Sequence, residues 1–359
     1  MKKVLVCAYL EFNLGDDLFL KIIFEKYPNV NFVIFNCDKK YKKLFRNYKN
    51  VRIENSLILK IFKEFGLKSI IKKLQNYDIL LYIGGSIFMQ FNHWKKQFKN
   101  RKNIIDLFSY NKKPIFIIGA NFGPFYEKTF VNLYKKEFKK CTDICFRDTY
   151  SYNLFKDLNN VRVEPDVIFQ LKTKSVKKIK KSIGISIINL KNRDNLKTYQ
   201  QIYNLKIKEI IEKAISKNNI VKLFCFCERE GDMIAIKDII KILDKRYYKN
   251  ISIVNYSGNI NEFLLQFKQM ENIIGSRFHA CILSQVFDQG LYPIIYSDKI
   301  YNVLKDIDML HEYTYIKNLK DLNVEHIFKV ISQNKIKNYD VFKKSENQFI
   351  EFNKYVHDD

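Results

Sequence analysis

Short apolar runs rich in β-branched residues alternate along the chain with longer segments whose apolar positions return at helical spacing. The runs at 3–8, 30–36, 78–83, 114–119 and 144–146 predict five strands, with helices between them. At residue 183 the pattern starts again, with runs at 183–188, 220–227, 251–254, 272–274 and 292–295. Such alternation implies parallel sheets, because a parallel strand pair needs a long crossover and the helix supplies it. Between the two series, residues 172–182 read KTKSVKKIKKS, with six lysines and no strong hydrophobic period. That composition predicts a connection. The expected organisation is an α/β domain over 1–172, a Lys-rich linker at 173–182, a second α/β domain over 183–335 and a helical segment at 336–359. A length of 359 residues suits two cores, since a typical domain holds about 150 residues.

The first apolar run stops at Glu11 and is followed by Asp16 and Asp17, which predicts a buried strand and not a signal peptide. No run approaches the roughly 18 consecutive apolar residues of a spanning helix, so the expectation is a cytoplasmic protein. Residues 58–74 place Ile58, Ile61, Phe62, Phe65, Ile70, Ile71 and Leu74 at helical spacing with lysines between them. That segment reads either as a surface helix packed on a core or as a peripheral contact with an anionic membrane at its inner face. The nearby Asn92-His93-Trp94-Lys95-Lys96 holds the only Trp and suits an interfacial anchor or an ordinary loop.

Composition then narrows the classes. With 47% hydrophobic and 15% aromatic residues the chain is globular, not disordered. A net charge of +25 invites a polyanion partner. Only nine of the 63 basic residues are Arg, however, and the excess of Lys, Ile and Asn over Gly and Pro is what an A/T-rich coding sequence produces. A nucleic-acid partner is therefore not expected. The seven cysteines are scattered, without C-x-x-C spacing, and read as reduced core residues. Cys225 and Cys227 would share a strand face, but no second pair completes a zinc site, so no metal is expected.

Glycine is scarce, 11 in all, yet Gly15, Gly84, Gly85, Gly119 and Gly123 fall just after strand-like runs. Loops at the carboxyl ends of parallel strands are where α/β proteins bind ligands, and Gly there lets backbone N–H groups approach an anion. The ordered set is Asn13-Leu14-Gly15-Asp16, Gly84-Gly85-Ser86, Gly119-Ala120-Asn121-Phe122-Gly123, Arg147-Asp148, Pro165-Asp166, Gly275-Ser276-Arg277-Phe278-His279-Ala280 and Tyr296-Ser297-Asp298-Lys299. In this order the motifs resemble the polysaccharide pyruvyl transferase family, over roughly residues 4–299. Three positions depart from that pattern: Ser86 stands where a third Gly is frequent, Phe278 where Leu is usual, and Val167 where Pro is frequent.

The resemblance implies two Rossmann-like domains facing across a cleft, similar to glycosyltransferase type B. It also implies transfer of a pyruvyl group from phosphoenolpyruvate, a co-substrate and not a resident cofactor, onto a sugar or glycolipid acceptor. The residue chemistry is compatible with that reaction. Phosphate and carboxylate groups are matched best by Arg, and two of the nine arginines, Arg147 and Arg277, lie in the motifs. Ketal formation needs proton exchange near neutral pH, which suits His279. The expected donor-binding set is Arg277, Phe278, His279, Lys299 and Arg147, with His279, Arg147 and Lys299 catalytic. The acceptor or loop set is Asn13, Gly15, Asp16, Gly84, Gly85, Ser86, Gly119, Asn121, Gly123 and Asp148; Asp16 and Asp148 would orient cations or acceptor hydroxyls, or cap helices. Two other readings remain open: a nucleotide-sugar-dependent glycosyltransferase of the same architecture, and a non-enzymatic basic protein that binds membranes or nucleic acid.

Overall fold

In the computed structural model, which describes residues 1–35, 38–55, 74–193 and 195–356, the chain forms two parallel sheets. The first contains β1 (Lys3–Cys7), β2 (Asn31–Phe35), β3 (Val51–Glu54), β4 (Ile79–Ile83), β5 (Ile115–Ala120), β6 (Asp143–Phe146) and β7 (Val161–Val163), in the order β3-β2-β1-β4-β5-β6-β7. The central strands β4 (ILLYI) and β5 (IFIIGA) are buried at every position. Helices cover both faces of such a strand, which explains why its apolar residues run continuously instead of alternating.

The second sheet contains β8 (Ile179–Ser186), β9 (Ile220–Cys225), β10 (Ile251–Asn255), β11 (Met270–Gly275), β12 (Gly290–Ile295) and β13 (Thr314–Tyr315), in the order β10-β9-β8-β11-β12-β13. Both sheets therefore follow the doubly wound order of a Rossmann fold. The strand order reverses between β1 and β4 in one sheet and between β8 and β11 in the other, and loops at the carboxyl ends of those strands form the usual ligand site. All ten predicted strands are present. The three unpredicted ones, β3, β7 and β13, are short and lie at or beside a sheet edge, where half-exposed positions carry little apolar signal.

The chain divides into units that are not contiguous in sequence. One unit holds residues 1–10, 19–170 and 340–359, and the other holds 11–18 and 171–339. The helical C-terminal segment is thus part of the first unit, because its apolar face needs a core. Phe349 and Phe352 are fully buried, Phe352 packs edge-on to Phe116 and Tyr27, and Gln348 accepts from the Gly119 N–H at 3.0 Å while donating to the Glu164 carbonyl at 2.8 Å. The Lys-rich connection is shorter than its composition suggested: Ile179 already pairs with Met270 at the start of β8, with Lys180 and Lys181 exposed.

The first core is notably aromatic. Phe122 contacts Phe130, Tyr134, Phe138 and Phe155, with ring centroids 4.8–6.0 Å apart. Each such pair adds about 0.5–1.5 kcal/mol beyond its buried area. Trp94 belongs to this core and is 8% exposed, edge-on to Phe130 at 5.1 Å, so it is not an interfacial anchor. The second core is built largely from Ile and Leu of β8, β9 and the helices Gln200–Ser216 and Asp232–Ile242. Residues 58–73 of the amphipathic segment lie outside the described residues, and Leu74 is buried. Among the described residues no helix is long and apolar enough to cross a membrane.

Candidate active site

At the reversal point of the second sheet, the turn after β11 carries Arg277 and the helix that follows carries His279 in its first turn. Ser186, the last residue of β8, accepts from the backbone N–H groups of Ser276 (2.8 Å) and Arg277 (3.1 Å), and Tyr203 donates to the Ser276 hydroxyl at 3.0 Å. This fixes the turn from β11 into the helix Phe278–Val286. Arg277 then points into a carboxylate cradle: its Nε donates to Asp232 at 3.0 Å, one Nη donates to the other Asp232 oxygen, and the second Nη donates to Glu230. All three nitrogens are engaged, and Asp232 is fully buried. Burial opposes the Arg277 charge, but Asp232 and Glu230 outweigh it and hold its pKa well above the ordinary value.

Glu230 is shared. Besides Arg277 it accepts from Arg193 at 3.0 Å and from the Asn13 side chain at 3.1 Å. Burial works against this carboxylate, yet Arg277 and Arg193 hold its pKa down at about 2. The Asn13 contact belongs to the segment 11–18, which was expected on the first domain but groups with the second unit. The Leu14 N–H donates to the Phe226 carbonyl at 3.1 Å, the Asn13 side chain accepts from the Gly15 N–H at 3.1 Å, and Tyr256 donates to Asp17 at 2.7 Å. Gly15 allows this close approach, because a Cβ there would overlap the imidazole of His279 unless the ring or the helix start shifted. His279 itself is 8% exposed and stands edge-on to the Phe278 ring. Asp16 is buried as well.

Lys299 sits in the first turn of the helix Asp298–Asp306, just beyond β12. Between them Tyr296 lies under the Arg193 guanidinium, whose carbon is 4.7 Å from the ring centre. Burial raises the Tyr296 phenol, but Lys299, Arg193 and Arg277 outweigh it and bring its pKa below the ordinary 10.

The remaining predicted residues meet in the first unit. Arg147 is 2% exposed, with one Nη donating to Asp166 at 2.8 Å and the other to the Asn121 side chain at 2.8 Å. Ser86 donates to the same Asn121 oxygen at 3.2 Å, and the Asn121 N–H donates to the Gly85 carbonyl at 2.8 Å. The guanidinium lies against Gly85, where a Cβ would come within 2.6 Å of Cζ. Gly84 makes the turn after β4, Gly119 lies within β5, and the Gly123 N–H donates to the Phe88 carbonyl at 2.8 Å. Asp148 caps the helix Thr149–Phe155, accepting from the Ser151 N–H at 2.8 Å, and the Ser151 hydroxyl accepts from the Phe122 N–H. The helix cap is thus one of the two roles open to Asp148 from its sequence.

A family model described as "Polysaccharide pyruvyl transferase" matches residues 13–288. The chain belongs to this family. It is 24% identical over 281 residues to the amylovoran biosynthesis protein AmsJ of Erwinia amylovora, a match spanning 71% of this chain and 65% of AmsJ, so the shared part is less than two thirds of that relative. Among solved structures, UDP-GlcNAc 2-epimerase from Methanocaldococcus jannaschii superposes with a TM-score of 0.60 at 12% identity, covering 99% of this chain and all of the other. The ADP-heptose LPS heptosyltransferase II of E. coli gives 0.50 at 10% identity over 96% of this chain and all of that one. At such identities these likenesses concern the fold alone, which is the two-domain Rossmann-like fold of glycosyltransferase B type.

For this pyruvyl transferase family member, sequence reasoning overlooked Glu230, Asp232, Arg193 and Ser186 as parts of the second-unit site, and it quoted Tyr296 in a motif without giving it a role. Two signals were present. Glu230-Gly231-Asp232 follows a strand, and Arg193 is another of the nine arginines placed after one. Among the described residues no group of His, Cys, Asp and Glu forms a metal-binding cluster.

Proposed function

We propose that this protein transfers the pyruvyl group of phosphoenolpyruvate to a pair of hydroxyls on one sugar, forming a cyclic ketal on a surface polysaccharide, glycolipid or lipid-linked precursor. The observation that carries this reading, beyond family membership, is the placement of His279. A nearly buried imidazole stands in the first turn of a helix at the sheet's reversal point, two residues after Arg277, on an element packed beside the Asn13–Gly15 turn. In the proposed reaction C3 of the enol gains a proton while the first sugar hydroxyl bonds to C2 and loses its proton. The second hydroxyl then bonds to C2 as the C2–O bond to phosphate breaks, and its proton leaves as well. His279 is the group suited to these proton movements, in either direction. Lys299 and the arginine cluster would bind the donor's phosphate and carboxylate.

Incubating purified protein with phosphoenolpyruvate and lipid-linked or nitrophenyl glycosides tests this, with inorganic phosphate release and pyruvyl mass gain as readouts. Consumption of a nucleotide sugar in place of phosphoenolpyruvate would replace this reading with the glycosyltransferase one. Peripheral membrane contact is a separate part of the proposal. Cosedimentation with anionic but not neutral vesicles, weakening with salt, is the result it requires.

A further inference from the structure

We infer that Arg193, held by Glu230 and the face of Tyr296, is the principal anion-binding arginine of the second unit, and that Arg277 mainly braces it. The two arginines share Glu230 but are committed very differently. Arg277 spends all three nitrogens on Asp232 and Glu230, inside a nearly closed environment. Arg193 places a single nitrogen on Glu230 at 3.0 Å, and its Nε is buried without a hydrogen-bond partner. Its side chain keeps 27% of its surface exposed, so the outer edge of the guanidinium remains open to a ligand.

The surroundings suit an anion. Arg193 lies on the loop following β8, one of the two strands that flank the sheet's reversal point, where α/β ligands bind. Tyr296, at the carboxyl end of β12, fixes the plane of the guanidinium from 4.7 Å. The hydroxyl of Ser297, the residue before the Lys299 helix, is also buried without a partner. A guanidinium already oriented by a carboxylate and a ring loses little freedom when it forks onto a phosphate. Its charge is less cancelled than that of Arg277, which faces two carboxylates at hydrogen-bond distance. The chemical class recognised is a phosphate or phosphate ester; the assignment draws on the donor reading above only for which phosphate compound is native.

Calorimetric titration with inorganic phosphate, phosphoenolpyruvate and UDP, on wild type, Arg193→Ala, Arg193→Lys, Tyr296→Phe and Tyr296→Leu, tests this. Arg246→Ala serves as the charge control, since Arg246 is exposed and its ion pair is with the nearby Asp244. Arg193→Ala should weaken the best-bound probe about tenfold or more, as expected for a lost charge-assisted contact. Arg193→Lys should recover part of the affinity, Tyr296→Phe should retain it because the ring face remains, and Tyr296→Leu should lose much of it. Thermal unfolding confirms that each variant is folded. If phosphoenolpyruvate is not bound but UDP is, with the same dependence on Arg193, the donor reading fails and the anion assignment stands. Unchanged affinity in folded Arg193→Ala, a loss equalled by Arg246→Ala, or a wild type that binds none of the three probes overturns the inference.

Discussion

Replacing Gly15 by Ala adds one methyl group at the point where the segment 11–18 meets the candidate catalytic histidine. In an isolated helix the change would be favourable by about 0.5–1 kcal/mol, because Gly costs more backbone entropy than Ala, and Gly15 is the second residue of the helix Leu14–Lys26. Here the sign should reverse. The new Cβ would overlap Nδ1, Cγ and Cε1 of His279 together, and the ring is only 8% exposed. Restoring ordinary contact of about 3.5 Å requires the imidazole or the helix start to retreat by more than about 1 Å. Overpacking of this kind costs about 1–3 kcal/mol, and displacing a reacting group by about 1 Å costs turnover about a hundredfold. The assay pairs urea unfolding with phosphate release from phosphoenolpyruvate in the presence of acceptor. A Gly15→Ala protein at least as stable as wild type, with unimpaired turnover, would refute the packing of Gly15 on His279 and the catalytic placement of the ring.

His279→Gln keeps approximate size and hydrogen bonding but cannot exchange protons near neutral pH, so turnover should fall by about 10²–10⁴ while donor affinity changes much less; near wild-type turnover in a folded variant returns this histidine to a structural role. Arg277→Ala strips the counter-charge from a fully buried Asp232 and should cost about 3–5 kcal/mol in denaturant unfolding, and a loss below about 1 kcal/mol would remove Arg277 as the anchor of this loop. Glu230 has a folded pKa of about 2 against an ordinary 4.5, so the stability it contributes is complete above pH 4.5 and fades as pH falls toward 2. Thermal unfolding across that window should show the gap between wild type and Glu230→Gln closing on the acid side; a constant gap contradicts the ion pairs drawn for Glu230.

Strand placement could be read from the chain because apolar runs such as ILLYI and IFIIGA are local signals, continuous because helices cover both faces of the strands they form. The ordered Gly, Arg and His motifs were also legible, since ligand loops follow strands and scarce residue types stand out there. Partnerships across sequence distance were not. Nothing near Asn13 announces Glu230, 217 residues away, and nothing near Gly119 announces Gln348, 229 residues away. The same holds for the functional weight of the arginines. Arg277 drew attention through its motif, whereas its enclosure by Asp232 and Glu230 and the lighter commitment of Arg193 emerge only once three loops converge. Local hydrophobic pattern dictates which segments become strands and helices because it acts through neighbours along the chain. Which charges are cancelled and which remain available depends on distances through space, and those only the folded chain decides.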